Sequence, residues 1–175
     1  MLHDESIEYG MLLCEANGYI ALLAIAGLYH LWERGVVGFL INELGYCWKE
    51  KYLNINNFSD IKYNFLDYGI DIEKFDFYPD LNELRLVTNT VKHGDGRSLD
   101  ELQKFDAAIL QDKGEHGEIH TGRWTISNVD LYPTEAHIDR YSSAIIQFWD
   151  HELWAKDGER RNRIRDISER SFKKK

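Results

Sequence analysis

Ile25-Ala26-Gly27-Leu28-Tyr29-His30-Leu31-Trp32-Glu33-Arg34-Gly35-Val36-Val37-Gly38-Phe39 is the stretch on which the fold turns. Ile25, Leu28, Trp32, Val36 and Phe39, followed by Ile41 or Leu44, recur at spacings of three and four, the repeat of one face of an α-helix. The pattern extends outward from about Ile7 to Trp48. Gly27, Gly35 and Gly38 each weaken such a helix by about 1 kcal/mol relative to Ala, yet a missing side chain lets another helix come close, so a kink or a tight crossing is expected near Gly35. The most apolar part, Tyr19 to Tyr29, is shorter than the ~20 residues that span a bilayer. It reads as a buried core helix, and no membrane partner is expected.

Further along the chain the punctuation is helical too. After the Asn-rich Asn54-Ile55-Asn56-Asn57, Ser59 has the chemistry of an N-cap for a short helix through Tyr63 and Leu66 to Gly69. Pro79 suits a first turn, Leu81, Leu84, Val87 or Thr88 and Val91 share a stripe, and Gly94 stands where a left-handed residue closes a helix. Ser98-Leu99-Asp100-Glu101 has capping-box spacing. Residues 112–132 are irregular or β-prone, with Gly114, Gly117 and Gly122 marking turns and Arg123 to Val129 favouring a strand. Pro133-Thr134-Glu135 then opens a helix with Ile138, Tyr141, Ile145, Phe148 or Trp149 and Leu153 on one face. This inventory predicts a mainly all-α, up-and-down helical bundle with two long helices, shorter helices and that insert.

With 175 residues, 43% hydrophobic and 13% aromatic, the chain has enough apolar surface for one ordinary core, and a fully disordered protein is excluded. A single helical domain over 1–155 and a basic tail over 156–175 are expected, since the last 20 residues hold nine Lys/Arg against four Asp/Glu and the rest 12 against 26. An acidic body of this kind argues against indiscriminate duplex binding, although a basic arm can touch phosphates. The aromatics pack first, and a surplus exposed patch favours dimerisation. Cys14 and Cys47 are too few for a disulfide framework and read as reduced thiols. The start Met1-Leu2-His3-Asp4-Glu5 lacks the pattern of a secretory signal, so a cytoplasmic address is expected.

Chemistry concentrates at one helix end. Arg85, Asn89 and His93 are separated by four and four, drift only ~40° per step and form one polar stripe. His transfers protons near neutrality, Arg offers a permanent planar cation for phosphate, and Asn orients either neighbour. The helix C-terminus favours positive charge at Lys92 and His93, and Lys-His before Gly is equally the composition of an ordinary C-cap. Glu115-His116-Gly117-Glu118-Ile119-His120 lacks a third fixed ligand, and no metal or cofactor is expected. Neither a nucleophile elbow nor a phosphate-binding Gly-Lys loop is present. Asp71 and Glu73, or Asp76 and Asp80, read as surface charges.

Leu84-Arg85-Leu86-Val87-Thr88-Asn89-Thr90-Val91-Lys92-His93-Gly94 resembles the motif helix of the HEPN superfamily, helical bundles many of which are metal-independent endoribonucleases. In that family an Arg, frequently followed by Asn, precedes a His by four to six residues, and dimerisation brings two motifs together around RNA. Asn89 and His93 match the pattern. Thr88 stands where the family commonly has Arg, and seven residues separate Arg85 from His93, outside the usual gap. The resemblance implies a protein that binds or cleaves RNA in a bacterial defence or toxin–antitoxin system, as a homodimer or with a partner protein. Under it His93, Asn89 and Arg85 are the candidate catalytic residues and Lys92 and Arg97 the substrate-binding ones. A 2'-hydroxyl would attack the adjacent phosphate, His93 handling the proton and Arg85 or Lys92 the phosphate charge. The alternative is a non-catalytic helical interaction or scaffold subunit.

Overall fold

The computed structural model of the chain describes residues 2–44, 55, 57–67, 69–94, 96–105, 108–110 and 131–151. Among them are five α-helices and no strand: α1 (Leu2–Phe39), continued by a π-helical turn at Leu40–Leu44, α2 (Phe58–Asp67), α3 (Tyr78–His93), α4 (Arg97–Lys104) and α5 (Glu135–Asp150). Short 3-10 turns occupy Ile72–Lys74 and Ala108–Leu110. This is the all-α bundle expected from the periodicity. Most of the insert over 112–132, the polar His116–His120 segment, Cys47 and the basic tail lie outside the described residues.

The residues group into two compact units, Met1–Tyr29 with Asp80–Ser142, and His30–Pro79 with Ser143–Lys175. In the first, Leu22, Ile25 and Tyr29 of α1 are buried at helical spacing, as are Leu81, Leu84 and Val87 of α3, Leu99 and Leu102 of α4, and Tyr141 of α5. Leu131, at the end of the insert, is buried, and the Tyr132 N–H donates to the Ile109 carbonyl at 2.7 Å. That bond ties the chain entering α5 to the turn after α4.

In the second unit Trp32 is the largest fully buried side chain. Its ring meets Phe148 edge-on at 5.4 Å and Phe58 at 5.9 Å, and Phe148 also meets Phe65 at 6.0 Å and Phe77 at 5.7 Å. Edge-to-face packing of this kind is favoured by the ring quadrupole. The crossing expected near Gly35 is present: a Cβ built there would lie 3.0 Å from Trp149 Cζ2. Trp149 uses the bare backbone of α1 as a seat and turns its edge to Phe39 at 6.1 Å.

The helix ends confirm some sequence readings and correct others. Gly69 and Gly94 adopt the left-handed conformation, with φ of 78° and 70°. For α2 the cap is Asn57, whose Oδ1 accepts from the Asp60 N–H at 3.0 Å, and not Ser59, which lies in the first turn. Starting at Phe58 lets Phe58, Ile61 and Phe65 share the buried face. The capping box at Ser98–Glu101 does not form: Gly96 occupies the N-cap position of α4 without a side-chain bond, and Glu101 is drawn away by two arginines. On α5 the buried face is His137, Tyr141, Ala144 and Phe148, with Ile138 and Ile145 half-buried beside it. His137 is tolerated inside because its Nδ1 meets the Thr134 hydroxyl at 2.7 Å and the Thr134 N–H at 3.1 Å.

The segment Ala16–Asn42 is longer than the apolar run singled out by sequence, and by length and composition it is enough to cross a membrane. One face of it, Leu22, Ile25, Tyr29, Trp32, Val36 and Leu40, is nonetheless buried within the protein.

Candidate functional site

α3 forms because Pro79 presets its first turn and Leu81, Leu84 and Val87 supply a continuous buried stripe. Its last turn ends where the Gly94 N–H donates to the Thr90 carbonyl at 2.8 Å. Such a left-handed glycine closure satisfies a carbonyl that the helix would otherwise leave open. It also leaves Lys92 and His93 exposed at the helix end, with Asn89 half-buried one turn before them.

Arg85 is differently placed from its stripe-mates. Its side chain is only 18% exposed, its Nε and Nη2 donate to Asn82 Oδ1 at 3.1 and 2.9 Å, and Nη2 also reaches Glu101 Oε2 at 3.2 Å. Arg97, 92% exposed, donates from Nε to the other oxygen of Glu101 at 2.9 Å. Glu101 thus joins the two arginines, one from α3 and one from its own helix. Burial alone pushes the Glu101 carboxyl up, but hydrogen bonds from Arg97 and then Arg85 overcome this and hold it below its ordinary value. The structure therefore places Arg85 in a strut between α3 and α4, while Asn89, Lys92 and His93 remain as a solvent-facing set with Arg97 linked to the same strut.

Thr88, the residue before Asn89, is fully buried, and its hydroxyl has no hydrogen-bond partner among the described residues. A cation at this position would be carried into the core of the unit. Thr90, also buried, satisfies its hydroxyl on the Leu86 carbonyl at 2.9 Å.

A second polar constellation, missed by sequence reasoning, occupies the other end of α3. Arg140 of α5 holds Glu83 in a two-pronged pair, Nη1 to Oε2 at 2.9 Å and Nη2 to Oε1 at 2.7 Å, and Nη1 also donates to Asp80 Oδ1 at 2.8 Å. The Tyr141 hydroxyl donates to Glu83 Oε1 at 2.9 Å, and the Arg140 guanidinium lies 5.1 Å from the Tyr141 ring centre. Burial, then the charge of Glu83, pushes the Tyr141 phenol above its ordinary range. Burial works against the Arg140 cation, but the Glu83 bond outweighs it and the guanidinium stays charged. Asp80 is thus a partner in this network and not a lone surface charge. Glu83, in the apolar company of Leu81 and Leu84, is the only local hint of it that the sequence carries.

Among the described residues no three His, Cys, Asp or Glu side chains gather in a way that could hold a metal ion. The second unit carries a cavity of about 430 Å³ lined by Glu33, Arg34, Val37, Gly38, Ile41 and Ile61 among others. No protein-family model, curated protein or solved structure matches the chain.

Proposed function

We propose that this chain is a HEPN-like helical protein that binds RNA through the end of α3, with Arg85 withdrawn from contact with the phosphate. The observation that carries the reading is the exposure of Lys92 and His93 in the last turn of α3, with Asn89 on the same stripe and the almost fully exposed Arg97 at the start of α4. Two cations, an imidazole and an amide on one small surface suit a phosphodiester and an unstacked base. Cleavage would need a cation at the phosphate as charge develops. Of the two residues expected to supply it, Arg85 is committed to Asn82 and Glu101, Lys92 stays exposed, and Thr88 is buried.

The test is retention of single-stranded RNA in EDTA by wild type and by Lys92→Ala, His93→Ala and Arg97→Ala. Wild type retains intact RNA, and each side chain removed weakens retention several-fold. Unchanged retention in all three variants would sink the reading. RNA cut by wild type but not by His93→Ala would restore catalysis. A second reading, a protein-interaction subunit, is favoured by the large apolar side chains that α1 leaves exposed.

A further inference from the structure

We propose that the outer face of the first half of α1 is a self-association seam that pairs, antiparallel, with the same segment of a second copy of this chain. From Ile7 to Ile20 α1 buries none of the side chains whose burial is described, and its cover begins at Leu22. Leu22, Ile25 and Tyr29 are buried in the first unit, whereas Tyr9, Leu12, Ile20 and Leu23 are 65%, 61%, 64% and 67% exposed, with Leu13 and Tyr19 about half exposed. At 100° per residue the exposed set lies on the side of the helix away from the buried one. A soluble helix ordinarily turns a polar face outward, and an exposed apolar stripe calls for cover.

The pattern of the outer face says what covers it. Tyr9, Ala16 and Leu23 recur every seven residues, as do Leu12 with Tyr19 and Leu13 with Ile20. This is the a, d and e stripe of a helix that pairs with another helix by knobs-into-holes packing. Ala16, exposed at the centre of the stripe, leaves room for close approach. Six exposed side chains of this size offer on the order of 600 Å² per chain, which doubled across a twofold axis clears the ~1,000 Å² expected of a specific interface.

Charge selects between occupants and between orientations. Residues 2–29 include Asp4, Glu5, Glu8 and Glu15 but no Lys or Arg. An amphipathic helix lying on an anionic bilayer needs basic residues beside its apolar face, and this one has acidic ones. Parallel pairing would set the acidic ends side by side. Antiparallel pairing separates Asp4, Glu5 and Glu8 of one copy from those of the other, leaving only Glu15 near its own copy at the centre, as it is in either orientation, and keeps the interface isologous, each copy using the same patch.

Light scattering on the full chain, run as a concentration series, should give a mass of twice 20.6 kDa. Ile20→Glu with Leu23→Glu should halve that mass with helix content unchanged, because both side chains are exposed. Orientation is read in a Cys14→Ser, Cys47→Ser background: Ala16→Cys at the centre should cross-link to its own copy under oxidation, and Tyr9→Cys at one end should not. A monomeric wild type, a double variant that stays dimeric, or cross-linking at Tyr9→Cys but not Ala16→Cys overturns the seam as described. Co-sedimentation of wild type with phosphatidylcholine–phosphatidylserine vesicles that is lost in the double variant overturns it in favour of lipid. None of these measurements uses RNA, so loss of RNA binding and loss of the seam are separate outcomes.

Discussion

Glu83 is a carboxylate in the buried face of α3, held there by two prongs of Arg140 and the Tyr141 hydroxyl. Pairs of this kind add little net stability over apolar packing, but removing one partner strands the other. Because Arg140 is 37% exposed and keeps its bond to Asp80, Glu83→Ala is expected to cost about 1–3 kcal/mol in urea unfolding, and Glu83→Met with Arg140→Met to recover a substantial part of that loss. An equal loss in the single and double variants would show that the pair is not the source. Glu101 behaves differently. Its folded carboxyl sits below the ordinary 4.5, so its contribution is present above the unfolded value and is lost as pH falls through the lower folded value. Glu101→Gln should flatten the acid limb of stability below pH ~4.5 and leave the slope near neutrality unchanged, which urea midpoints across pH would show. Arg85 was identifiable as a chemically capable residue from its place on the stripe. Its commitment to Glu101, 16 residues on, was not, because that bond depends on the turn that brings α4 back along α3.

At the level of the helix, two glycines of one element have opposite reasons for being there. A Cβ at Gly35 would meet Trp149 Cζ2 at 3.0 Å, whereas one at Gly38 would meet nothing within 4 Å. Both substitutions gain about 1 kcal/mol of helix propensity. Gly38→Ala keeps that gain and should raise the thermal midpoint by about 2–4 °C. Gly35→Ala must displace an indole and should be neutral or destabilising. Calorimetry on the two variants distinguishes them, and equal shifts would mean that the Trp149 seat yields freely. The repeat of three and four made α1 visible, and glycine closure made the end of α3 visible, because both are local properties of consecutive residues. The caps of α2 and α4 were misread at Ser59 and Ser98. In each case a competing demand, burial of Phe58 or the pull of Arg85 and Arg97 on Glu101, outweighed a local preference worth about 1 kcal/mol.

Across the whole molecule, a net charge of -9 constrains the RNA binding proposed above. The acidic body repels polyphosphate, so binding through Lys92, His93 and Arg97 involves few phosphate contacts. The dependence of log affinity on log salt should then have a slope of about -1.4, at roughly -0.7 for each of the two cations on a single strand. If the basic residues of 156–175 supply the contacts, the slope is steeper and deleting them abolishes retention. Titration of the full chain and of the 1–155 truncation across salt concentrations separates these outcomes.

The all-α character of the protein, the extent of its helices and the concentration of polar chemistry at the end of α3 could be read along the chain, since each follows from spacing within one segment. Which polar groups remain available could not. Arg85 was withdrawn into a strut, Thr88 turned into the core, and Asp80 and Glu83 were joined to an arginine some 60 residues away. The uncovered apolar stripe of α1 likewise emerged only when Leu22, Ile25 and Tyr29 proved to be buried while Tyr9, Leu12 and Ile20 proved to be exposed. Periodicity shows where a helix has apolar faces, but packing against other elements selects the face to bury, because desolvation is a property of the neighbours as much as of the residue.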